Sequence, residues 1–100
     1  MSSRSREKRL ELYTLKRPEE VLRILIAENS YFNEIIIFKG FSSYLTQETP
    51  SNPDVLLIPE NAIVVEIDRI KSPYSPNNPN YIQKGLSWAL MEELFQHVEV

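Results

Sequence analysis

Two stretches of β-forming residues flank Asn29-Ser30, and a chain that carries them is bound to build a sheet. From residue 20 to 28, Leu22, Ile24 and Ile26 alternate with Val21, Arg23, Leu25 and Ala27. That is the period of a strand with one fully apolar face. Beyond the turn, Ile35, Ile36, Ile37 and Phe38 follow one another, which predicts a second strand over 34–41 with both faces covered. The two strands form an antiparallel hairpin. Gly40 lies inside the second one, where a glycine marks a bulge or a close backbone approach.

Further strands are expected at 55–58 and 62–70, with another possible over 41–46 and a loop over 47–54 between them. In the strand at 62–70, Ile63, Val65 and Ile67 share one face and Glu66 and Asp68 the other. Pro73, Pro76 and Pro79 then forbid a helix or a central strand, so residues 72–81 should run extended over a surface. Helices are expected at both ends. One covers 5–16, with Leu10, Tyr13 and Leu12 as packing residues, and stops before Pro18. The other is N-capped by Ser87 and spans 88–96, with an apolar stripe of Trp88, Leu90, Met91, Leu94 and Phe95. The fold class that results is mainly β (α+β): a small SH3-like half-open barrel of four to five antiparallel strands between two short terminal helices. An open meander with its helices on one face is the alternative arrangement.

One hundred residues suffice for one core and are too few for two domains. Charge divides the chain where hydrophobicity does not. Residues 1–17 carry six cations and two carboxylates, and the remainder carries five cations and twelve carboxylates. This predicts a basic N-terminal arm, 1–17, on an acidic domain, 18–100. Such an arm suits an acidic protein surface, an anionic lipid or a nucleic acid. The N-terminus leads into charge, so no secretory signal is expected. Apolar runs are far too short to span a membrane, so no membrane insertion is expected; the expected location is cytoplasmic.

Catalytic chemistry finds little purchase in this sequence. The absence of cysteine excludes disulfides, thiolate metal sites and thiol catalysis together. The single histidine, His97, is close to the C-terminus. Two glycines cannot build a phosphate-cradling loop. Glu66 and Asp68 could serve as paired carboxylates, yet a polar outer face accounts for them as well. Ser42-Ser43 has no histidine or cysteine placed to activate it. The chain is therefore expected to be non-catalytic, with no cofactor and no metal. Its candidate partner-binding residues are the arm cations Arg4, Arg6, Lys8 and Arg9 and the aromatics Phe41, Tyr44, Tyr74 and Tyr81. Phe38, Phe41 and Tyr44 beside Lys39 also suggest stacking of single-stranded nucleic acid, although the acidic body repels phosphates.

The segment Phe38-Lys39-Gly40-Phe41-Ser42-Ser43 and the stretch from Ile67 through Tyr74 to Ile82 resemble a family of small proteins of cyanobacteria and plant plastids. Arg17-Pro18-Glu19-Glu20 and Gly85-Leu86-Ser87-Trp88 extend the likeness over nearly the whole chain. That family is identified with the V subunit of the photosynthetic NAD(P)H dehydrogenase-like (NDH) complex. The resemblance implies a peripheral, non-catalytic subunit on the cytoplasmic or stromal face of the thylakoid. It would sit beside the iron–sulfur arm, where ferredoxin delivers electrons. It supplies no catalytic residues.

Overall fold

Alternation along the first strand sends Leu22, Ile24 and Ile26 to one side of the sheet, and two helices close over that side. The computed structural model describes residues 5–45, 49 and 55–100. Its elements are α1 (Arg6–Lys16), β1 (Glu20–Glu28), β2 (Tyr31–Phe38), β3 (Phe41–Tyr44), β4 (Ile63–Lys71), β5 (Tyr81–Leu86) and α2 (Trp88–Val98). The mainly β fold of antiparallel strands between two terminal helices is the one the chain adopts. The five strands form one open sheet in the order β3-β2-β1-β4-β5, with β3 and β5 at its edges. α1 packs over β1, β2 and β3, and α2 over β4 and β5.

Both tight turns have a local cause. Glu28 pairs with Tyr31 and Phe38 with Phe41, so each hairpin is closed by two residues. Asn29 and Ser30 have φ of 48° and 72°, and Lys39 and Gly40 have 50° and 83°. Two positive φ values match the right-handed twist of the flanking strands. Gly40 is thus a hairpin corner and not a bulge inside one long strand. The stretch expected as one strand over 34–41 is the end of β2, a turn and the first residue of β3. The close approach expected at Gly40 is present, because a Cβ there would lie 3.1 Å from the Leu15 side chain.

Three other expectations change. Residues 55–58 form no strand; the backbone N–H groups of Leu57 and Ile58 donate to the Glu7 carboxylate at 2.6 and 2.9 Å. The strand expected over 41–46 is present as β3, and an unexpected one, β5, follows the proline segment. The β1–β4 register slips between Leu25 and Ile26, which leaves Val65 as an extra residue. Ile63 and Ile67 consequently lie on opposite faces, one exposed and the other fully buried. The loop expected over 47–54 lies outside the described residues except for Thr49.

α1 belongs to the core. Leu10 and Tyr13 are buried together with Leu22, Ile24, Ile35, Ile37, Met91 and Phe95. Tyr13 and Trp88 both meet the Phe95 ring edge-on, at 6.2 and 5.4 Å between centroids. The segment expected as an appended arm therefore shares one core with the sheet. Ser5 and Ser87 cap the two helices through their hydroxyls, which accept from the N–H groups of Lys8 and Leu90.

Candidate interaction surfaces

Two charge networks hold the sheet together, one on each face. On the helix side Arg69 of β4 donates from Nε and Nη2 to Glu20 of β1, at 2.9 and 2.8 Å. The Tyr13 hydroxyl adds a bond to the same carboxylate at 2.7 Å. Burial pushes the Glu20 carboxyl up, but the bonds from Arg69 and Tyr13 outweigh it and hold the group below its ordinary range. Tyr13 is itself pushed up, by burial first and by Glu20 second.

On the outer face Arg23 of β1 is clamped by carboxylates from both neighbouring strands. It meets Glu34 of β2 at 2.6 Å, and Asp68 and Glu66 of β4 at 2.9 and 3.4 Å. Burial lowers the Arg23 pKa, yet Glu34 and Asp68 more than offset that and raise it. The other Asp68 oxygen accepts from the Gly85 N–H at 2.9 Å, which fastens β5 to the same network. Three carboxylates around one guanidinium leave this face acidic.

Apolar side chains flank the Arg23 cluster. Phe32, Ala27 and Ile63 are cross-strand partners at the end of the sheet near Asn29-Ser30. Phe32 is 68% exposed and Ile63 66%. Tyr31 and Val65, close to this row, are also exposed. At the other end Phe38 faces Phe41 across the Lys39-Gly40 turn, and the Lys39 ammonium lies 5.2 Å from the Phe38 ring.

The residues singled out in the sequence do not gather into one site. Arg6 donates to the carbonyls of Pro59 and Glu60. Arg9 lies 4.5 Å from the Phe95 ring centroid and bonds Glu92 and the Val100 carbonyl. Both cations are engaged within the chain, while Lys8 is exposed and Arg4 lies outside the described residues. Phe41 and Tyr44 are three residues apart on one strand and so point to opposite faces. Phe41 is exposed, and Tyr44 packs against the core. Burial raises the Tyr44 pKa, with Glu28 and Glu7 adding to it. Tyr74 is half-buried in the proline segment, and Tyr81 is exposed at the start of β5 under the Lys84 ammonium. Sequence reasoning missed Phe32 and Ile63. Carrying the second strand back to the Asn29-Ser30 turn would have exposed Phe32; no local signal announces the slip that turns Ile63 outward.

A family model described as a domain of unknown function (DUF7734) matches residues 7–95. The chain belongs to this family. The matched span of the DUF7734 domain takes in α1 from Glu7, all five strands, and α2 through Phe95. The helix first expected as an arm lies inside it. No curated protein and no solved structure matches the chain.

Proposed function

We propose that this chain is a non-catalytic accessory subunit, a protein-interaction module that docks into a larger assembly through the outer face of its sheet. One observation carries the reading: Phe32 and Ile63 lie open to solvent on either side of half-buried Ala27, beside an acidic cluster on the face opposite both helices. An apolar patch rimmed by charge is how docking surfaces are commonly built. The fitting partner brings apolar side chains flanked by cations. Glu66 and Asp68, the nearest approach to a carboxylate pair, are both held by Arg23, which favours a structural role over proton transfer. The sequence resemblance points to the photosynthetic NDH complex at the cytoplasmic face of the thylakoid as the assembly.

A second reading, binding of single-stranded nucleic acid, draws on Phe38 and Phe41 beside Lys39. The acidic outer face works against it.

The test is native separation of extracts from a cyanobacterium that expresses a tagged chain. Wild type should migrate in a particle far larger than 11.7 kDa. A Phe32→Ser/Ile63→Ser variant should fold and migrate free. A wild-type chain that migrates alone overturns the proposal, and a particle dissolved by nuclease supports the second reading. A large particle distinct from the NDH complex would leave the accessory role standing and remove that assembly.

A further inference from the structure

The end of the sheet opposite Phe32 has a different chemistry. β1 and β5 start there and β2 and β4 finish there, and the C-terminus of α1 lies against the same corner. Leu15 sits over Gly40, whose N–H donates to the Thr14 hydroxyl at 2.9 Å. Phe41 follows at once on the outer side of the hairpin and is 81% exposed, and Leu15, on the helix side of the same tip, is 57% exposed. Four cations are exposed at this end of the sheet: Lys16 at the end of α1, Arg17 after it, Lys39 in the turn and Lys71 at the end of β4, three strands from β3. Glu19 is the exposed carboxylate at this corner, and half-buried Glu11 is bonded to the Ser42 hydroxyl at 2.6 Å. These exposed cations outnumber the carboxylates of the corner, although the net charge of the chain is −3.

We propose that this corner is a peripheral docking surface for an anionic lipid bilayer, with Phe41 and Leu15 entering the headgroup region and Lys16, Arg17, Lys39 and Lys71 lying over the phosphates. Charge complementarity selects an anionic surface. An exposed aliphatic side chain at the same tip as an exposed ring selects an interface that accepts apolar groups. A nucleic acid would use successive rings as stacking platforms, and here Leu15 stacks on nothing while Lys39 lies against Phe38. Among the described residues no helix is long and apolar enough to cross a membrane, so contact at the surface is the mode that these residues support. The inference is independent of the Phe32 row, roughly 20 Å away along β2.

Flotation with vesicles tests it. The purified chain should float with vesicles of phosphatidylcholine containing about one-third phosphatidylglycerol, and not with phosphatidylcholine alone. Lys16→Glu and Lys39→Glu should each lower the partition coefficient about five-fold or more, and high salt should abolish binding. Phe41→Ser should lower it roughly ten-fold with its thermal melt unchanged. Leu90→Ser, an exposed apolar change on α2, should leave it as in wild type. Equal flotation on both vesicle types, or none on either, overturns the proposal. So does tight binding of a single-stranded oligonucleotide that the same charge reversals abolish while vesicles stay unbound.

Discussion

Glu20 and Arg69 face each other across neighbouring strands, and the guanidinium grips the carboxylate through two nitrogens at 2.9 and 2.8 Å. Glu20 is almost fully buried, so this pair closes the sheet beneath α1 while Tyr13 ties the helix to it. Glu20→Gln should cost about 2–3 kcal/mol, because it strands a largely buried guanidinium. The folded state holds the Glu20 carboxyl below its ordinary value of 4.5. Its contribution is therefore present above that value and lost as pH falls through the depressed folded one. Thermal melts across the acid range should show wild type losing stability more steeply than Glu20→Gln.

Glu7 should behave with the opposite sign. Burial raises its pKa above 4.5, and the N–H groups of Ile58 and Leu57 offset that only in part. Its contribution is full below 4.5 and is lost as pH rises through the raised folded value. Glu7→Gln keeps an acceptor oxygen for the two amides and removes the buried charge. The variant should be at least as stable as wild type at neutral pH, and Glu7→Ala clearly less stable. Chemical denaturation of the three chains at pH 7 checks this.

Gly40→Val should destabilise the fold by about 2 kcal/mol or more. A β-branched residue is strained at positive φ, and its Cβ would crowd Leu15. Gly40→Asn, which tolerates that backbone, should cost about half as much. Equal melting temperatures for glycine and valine would contradict the hairpin corner.

Leu10→Ala should cost about 3 kcal/mol, since the side chain is fully buried between sheet and helices. A loss below about 0.5 kcal/mol would make α1 a surface attachment after all.

Much of this architecture was legible. The alternation in β1, the Asn29-Ser30 turn and the Ser87 cap are local signals, and the structure uses each of them. What escaped depends on residues distant in sequence. Val55, Leu56, Leu57 and Ile58 resemble a strand, but the amides of Leu57 and Ile58 are claimed by a carboxylate from α1. β5 lacks alternation and contains Gly85 at positive φ; pairing with β4 and the bond to Asp68 make it a strand. The charge asymmetry of residues 1–17 gives no sign that the helix is held within the chain. Arg6 and Arg9 are engaged with Pro59, Glu60 and Glu92. The candidate surface was the least legible part, because Ile63 joins Phe32 on the outer face only through the extra residue at Val65.

The central claim, that the Phe32 end of the outer sheet face meets a protein partner, is tested most directly by site-specific photo-crosslinking in cells. A benzophenone amino acid placed at Phe32 should give one discrete adduct of fixed mass, and the same probe at Leu90 on α2 should give none. An adduct from position 90 with nothing from position 32 would place the partner on the helical side and contradict the account.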